Sequence, residues 1–165
     1  MQLDAPQILV GIAEIAVALA GFSGVVVVFG SRSQGQWRAG DRLRLSFLLE
    51  ASLTAGGFAL VALVLVSIVE TEQTAWAAVS GLWALFMPLS LYSSRRRIID
   101  NRDRHGDIDT FANRLVFGVF ATLVIVQVAN VLLWRQFAPI LAALCVNIVG
   151  AAMQFARLIR SAFHD

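Results

Sequence analysis

The sequence has few of the groups that cover the surface of a water-soluble protein. Charged residues make up 15% of its 165 residues, hydrophobic residues make up 58%, and the mean hydropathy is +0.74. Lysine is absent, so all thirteen basic residues are arginine. Too few polar side chains remain to coat a compact soluble fold, so the composition predicts a chain surrounded by lipid. Arginine without lysine, together with abundant alanine, glycine and valine, is typical of GC-rich bacterial genomes and predicts a bacterial origin.

Cysteine and histidine are scarce as well. The single cysteine, Cys145, excludes an intrachain disulfide. Both histidines lie outside the long apolar runs and no histidine or cysteine pair falls within one helical turn, so we predict no metal, haem or other cofactor. The sequence has no Ser-His-Asp set, no HExxH motif and no phosphate-binding loop, and we therefore predict that the protein is not an enzyme.

Five long apolar runs dominate the chain. A bilayer-spanning helix needs roughly 20 mostly apolar residues, and each run is close to that length. We predict an all-α fold, a polytopic transmembrane helical bundle that forms a single integral-membrane domain over residues 1–165. The predicted spans cover residues 8–29, 45–69, 74–92, 115–134 and 138–156.

The connections between the runs add detail to this bundle. The short connections 70–73 and 135–137 predict tight antiparallel helical hairpins. Pro88 removes a backbone donor deep in the third span, which predicts a kink there. Residues 1–7 lack the basic segment of a cleaved secretory signal, so the first run is expected to remain as a span.

The arginines predict the orientation of the bundle. Twelve of the thirteen lie in connection 30–44, connection 93–114 or the C-terminal tail, and Arg135 alone falls on the opposite side of a five-span threading. The positive-inside rule then places the N-terminus outside, both connections and the C-terminus in the cytoplasm, and the chain in the bacterial inner membrane as a multi-pass protein.

Some of these arginines are also candidates for binding anionic phospholipid headgroups, although orientation alone accounts for their placement. The headgroup candidates are Arg38, Arg42, Arg44, Arg95, Arg96 and Arg97. Four acids interrupt the basic residues of connection 93–114, so we predict no nucleic acid partner.

Acidic side chains inside the apolar runs are the most informative polar residues. Glu14 lies in the first run and Glu50 in the second, where a carboxylate is costly. A rise of about 1.5 Å per residue predicts two polar layers, with an amide between them. The outer layer is Glu14, Gln127 and Asn130, the inner layer is Glu50 and Gln154, and Asn147 lies near the midplane.

Two interpretations of these polar residues remain open. In the first, the carboxylates are protonated or hydrogen-bonded to amides and help the helices to associate, which contributes about 1 kcal/mol in a bilayer. In the second, they line a hydrated path for cations or protons, because acids inside membranes usually face cavities.

Rows of small residues predict where helices pack closely. The predicted packing residues are Ala16, Ala20 and Gly24 in the first span and Ala51, Ala55 and Ala59 in the second. The opposite stripe of the first span carries Glu14 and Val25 and continues to Arg32 in the connection that follows. In a ring of subunits this stripe predicts an acidic ring, an apolar constriction and an arginine ring; alternatively, the small residues only permit packing within one subunit.

Together these features predict a small, self-assembling, polytopic membrane protein with a polar path for cations or protons, either a channel or a carrier. The alternative is a noncatalytic membrane subunit or scaffold that binds a partner protein or anionic lipid. The first predicts homo-oligomers with a wet interior. The second predicts a stable monomer that co-purifies with a membrane protein partner.

Overall fold

The computed structural model describes the backbone of residues 4–29, 39–105 and 110–163, and the side chains of 4–26, 40–100 and 114–160. The described chain is helical throughout, apart from short turns, which confirms the all-α prediction. Its helices are α1 (Ala5–Phe29), α2 (Ala39–Ile68), α3 (Glu72–His105), α4 (Thr110–Ala129) and α5 (Phe137–Phe163), with a π-helical segment at Asn130–Trp134.

All five helices are long and apolar enough to cross a membrane, which confirms the prediction of five candidate spans. Large apolar side chains point outward from them: Val17 is 70% exposed, Leu85 72% and Leu133 74%. A water-soluble monomer rarely exposes so many large apolar side chains, whereas lipid solvates them well. The chain therefore has the fold of a multi-pass membrane protein.

Short turns join α2 to α3 and the π-helical segment to α5. Thr71 directly precedes α3 and bonds to its first turn. The Thr71 carbonyl accepts the Thr74 N–H at 3.1 Å, and the hydroxyls of the two threonines lie 2.8 Å apart. Glu72 then places a negative charge in the first turn, where the helix dipole favours it. α3 continues as one helix through Pro88 and extends to His105, well beyond the predicted span. The kink expected at Pro88 stays a prediction.

The chain divides into two compact units. Unit 1 comprises Met1–Ala59 and Leu144–Asp165, and unit 2 comprises Leu60–Ala143. Helices α2 and α5 each run from one unit into the other.

Unit 1 is packed through small side chains. Ala16 on α1 and Ala55 and Ala59 on α2 are buried. A Cβ added at Gly56 would lie 3.1 Å from the Ala16 Cβ, closer than ordinary van der Waals contact. The glycine therefore lets the α2 backbone approach α1 at this point.

Unit 2 is packed through one face of α3 that carries two tryptophans. Trp76, Val79, Trp83 and Met87 are buried at steps of three and four residues, which is one face of a helix. The Trp76 ring lies against Phe137 at the start of α5, with 4.8 Å between the ring centroids. This contact holds the first turns of α3 and α5 together.

Candidate functional site

Asn130, at the start of the π-helical segment, is a polar side chain with three hydrogen bonds. Its side chain is fully buried. The amide nitrogen donates to Ser80 Oγ at 2.8 Å and to the Gln136 carbonyl at 2.9 Å. The amide oxygen accepts the Gln136 N–H at 2.9 Å. Both donors of Asn130 and one acceptor position are thus used, and the side chain bonds both backbone groups of one residue, Gln136.

The backbone of Asn130 closes the same turn. Its carbonyl accepts the Arg135 N–H at 2.7 Å, which is an i to i+5 bond of the π-helical type. Arg135 has φ 52° and ψ 46°, the left-handed conformation that commonly ends a helix. In the part of the chain that the structure describes, it is the one residue other than glycine with a positive φ. The side chain and the backbone of Asn130 together stabilise the turn between the π-helical segment and α5.

Gln127 lies one helical turn before Asn130 and on the same face of α4. It is also fully buried, and its Nε2 donates to the Pro139 carbonyl at 2.7 Å. Because a carbonyl can only accept, this bond fixes the orientation of the amide. The other end, Oε1, is buried without a hydrogen-bond partner among the described residues.

We define these groups as the amide cluster: the side chains of Ser80, Gln127 and Asn130 and the peptide groups of Gln136 and Pro139. The shared face of Gln127 and Asn130 could be read from their spacing in the sequence. Ser80 and the backbone partners could not, because a serine in an apolar helix usually bonds to its own backbone. All members of the amide cluster belong to unit 2.

Glu14 is the second candidate group, and its surroundings differ from those of the two amides. It lies near the middle of the candidate span Ala5–Val26. Its side chain is exposed on α1 and makes no hydrogen bond or ion pair with any residue that the structure describes. Because Glu14 belongs to unit 1, the predicted outer layer that joins it to Gln127 and Asn130 stays a prediction.

The remaining predicted path residues also belong to unit 1. Glu50 is half-buried and makes a polar contact. Asn147 is buried and likewise bonded. Gln154 is half-buried, and its Oε1 is enclosed without a hydrogen-bond partner within residues 4–29, 39–105 and 110–163. The predicted inner layer therefore consists of groups that are more enclosed than Glu14.

The predicted packing rows are enclosed to different degrees. In unit 1, Ala16, Ala55 and Ala59 are buried, while Ala20 and Ala51 are half-buried. Gly24 is exposed, and a Cβ placed there would meet nothing within 4 Å. Steps of four residues turn about 40° around a helix each time, which carries Gly24 away from the face on which Ala16 lies.

The predicted headgroup arginines are mostly at the surface. Arg95 and Arg96 are exposed, and the Arg96 guanidinium lies 4.7 Å from the centre of the Tyr92 ring. Arg97 donates to Ser94 Oγ at 3.3 Å.

At the start of α2, Arg42 is exposed and Arg44 pairs with the buried Asp41 at 3.1 Å. Arg38 and Arg32 lie outside the described residues.

Chemically, the described groups can hold hydrogen bonds and charge but offer no metal-binding set: no group of three or more histidine, cysteine, aspartate or glutamate side chains comes together among them. Two separate features are therefore candidates for function, the amide cluster in unit 2 and the exposed Glu14 in unit 1. No family model, curated protein or solved structure matches this chain, so both features are interpreted from their own geometry.

Proposed function

We propose that this chain self-assembles in the membrane and that Glu14 lines a path for cations or protons between subunits. The observation that supports this proposal is the exposure of Glu14 near the middle of a candidate span. Hydrocarbon solvates a carboxylate poorly, so water or another chain must cover it. A second copy of the chain brings an identical surface.

The surroundings of Glu14 suit such an assembly. Along this side of α1, exposed or half-buried residues recur at steps that alternate between four and three positions: Gln7, Gly11, Glu14, Ala18, Gly21 and Val25. Alternating steps of four and three residues are the pattern of helices that wind around one another. Glycine and alanine allow the backbones to approach. A symmetric ring would then place one Glu14 from each copy around a common axis, with an apolar belt at Val25.

We further propose that the N-terminus lies outside and the C-terminus in the cytoplasm of the bacterial inner membrane. The concentration of arginine in connections 30–44 and 93–114 and the tail supports this orientation. We expect a reporter enzyme that works only in the cytoplasm to be active when fused to the C-terminus. Activity of a periplasm-specific reporter at the same position would reverse the orientation.

The transport proposal is tested by substituting the carboxylate alone. Glu14→Gln keeps the size and hydrogen-bonding shape of the side chain but removes its charge. In liposomes, we expect it to reduce cation or proton flux about tenfold and to change the pH dependence of that flux, because each subunit loses an attractive charge from the path. Native mass spectrometry in nanodiscs would show whether the oligomer persists.

Glu70→Gln is the matched control, since Glu70 is exposed in the turn between α2 and α3 and outside the apolar runs. It removes the same charge and should leave flux unchanged. Equal flux and equal pH dependence in wild type and Glu14→Gln, with the oligomer intact, would refute the path.

An alternative function is a noncatalytic subunit that binds a partner protein or anionic lipid. The specific observation in its favour is the stacking of Arg96 on Tyr92 beside the exposed Arg95, which presents two guanidinium groups at a position suited to phosphate headgroups. A monomer in nanodiscs that carries no flux and co-purifies with one membrane protein would favour this alternative over transport.

A further inference from the structure

The hydrogen bond between Ser80 and Asn130 sets the register of α3 against α4. Residues 106–109 separate the two helices, so α3 and α4 run antiparallel from that end. Ser80 and Asn130 meet at 2.8 Å, and a Cβ at Gly81 would lie 3.7 Å from Val131 Cγ2. One helical turn closer to the connection, a residue three positions later on α3 lies level with a residue three positions earlier on α4. Trp83 is therefore level with Gln127.

Each of these two residues has a buried polar atom without a partner. The Trp83 Nε1 can only donate, and no described acceptor bonds to it. The Gln127 Oε1 can only accept, and no described donor bonds to it. Both side chains are fully buried, and both belong to unit 2. An unpaired donor and an unpaired acceptor thus occur at one level of the same helix pair.

Ser80 supplies a third group. Three other serines donate to carbonyls of their own helices: Ser23 to Ala20, Ser67 to Leu63 and Ser93 to Ser90. Ser80 instead accepts from Asn130 and makes no other hydrogen bond in the described part of the chain. The Ser80 hydroxyl can therefore donate one further hydrogen bond. It lies one turn from Trp83 on the same face of α3.

We propose that one internal water molecule binds between α3 and α4, held by Trp83, Ser80 and Gln127. The water accepts the Trp83 indole N–H and the Ser80 hydroxyl proton, and it donates to Gln127 Oε1. Buried waters typically make about three hydrogen bonds of this kind. Bound water here extends the amide cluster by one turn into the membrane-spanning part of unit 2. The proposal depends on contacts within unit 2 and is independent of self-assembly through Glu14.

Solid-state NMR of the full chain in lipid bilayers, with nitrogen-15 in the tryptophan side chains, tests this directly. Trp83→Phe identifies the Trp83 indole signal by its disappearance. In the wild type, we expect magnetisation to pass from water protons to the Trp83 indole N–H. In Gln127→Met, which removes the acceptor at similar length, that transfer should be lost. In Val128→Leu, a substitution on the exposed side of α4, it should remain.

Two results would overturn the water site. One is a direct contact between the Trp83 indole proton and the Gln127 side chain in the wild type, without transfer from water. The other is transfer that persists unchanged in Gln127→Met. If Gln127→Met does not fold, the wild-type spectrum still decides, because absence of transfer from water to Trp83 contradicts the proposal.

Discussion

Asn130→Leu is expected to destabilise the protein by about 3 kcal/mol, since an unpaired buried polar group costs about 1–3 kcal/mol and three bonds are lost. Leucine has the same branched skeleton of side-chain heavy atoms as asparagine and is larger, so no cavity is created. The Gln136 N–H, the Gln136 carbonyl and the Ser80 hydroxyl all lose the partner that Asn130 provides. Leucine offers none of these groups a hydrogen bond in return. The turn that reverses α4 into α5 therefore loses its main constraint.

The measurement is the free energy of unfolding in bicelles, for example by steric trapping. Asn130→Asp is an informative intermediate, because it keeps an acceptor for the Gln136 N–H but loses both donors. Val128→Leu is the matched control, since it introduces the same leucine two residues away on the exposed side of α4. If Asn130→Leu unfolds no more easily than Val128→Leu, the hydrogen bonds of Asn130 contribute little to stability.

Much of the fold could be predicted from hydropathy because each span must satisfy its own backbone within lipid. The five apolar runs and the turn at Arg135 follow from this constraint. The C-terminal part of α3 does not: between Tyr92 and His105 the sequence is rich in arginine and aspartate, and such a polar run fits a helix or a loop equally well. Hydropathy indicates where a span leaves the lipid, whereas local hydrogen bonding decides where a helix ends.

The candidate site was less predictable because its partners carry no sequence signal. Gln127 and Asn130 stand out as amides in an apolar run, yet their main acceptors are the backbone carbonyls of Pro139 and Gln136. Any residue type supplies such a carbonyl. The expected meeting of Glu14 with amides rested on depth alone, and depth does not specify which way a side chain points around its helix. The exposure of Glu14 therefore emerged from the structure.

Gly56→Leu is expected to destabilise unit 1 by about 2 kcal/mol, within the range of about 1–3 kcal/mol for side chains forced into a packed core. A Cβ at this position already lies 3.1 Å from the Ala16 Cβ, and leucine adds three further carbons toward α1. The gain in helix propensity on replacing glycine, up to about 1 kcal/mol, cannot offset this overlap. The free energy of unfolding in bicelles again measures the effect.

The neighbouring Gly57 provides the control, because it is exposed and a Cβ there meets nothing within 4 Å. Gly57→Leu gains the same helix propensity without the clash and should be neutral or stabilising. Exchanging the pair, with Ala16→Gly and Gly56→Ala together, keeps one methyl group between α1 and α2 and should recover stability relative to Gly56→Ala alone. Equal stability of Gly56→Leu and Gly57→Leu would show that α1 and α2 are not in close contact there. Because Ala16 is two residues from Glu14, close packing of α1 at Gly56 also determines which side of the helix presents the carboxylate.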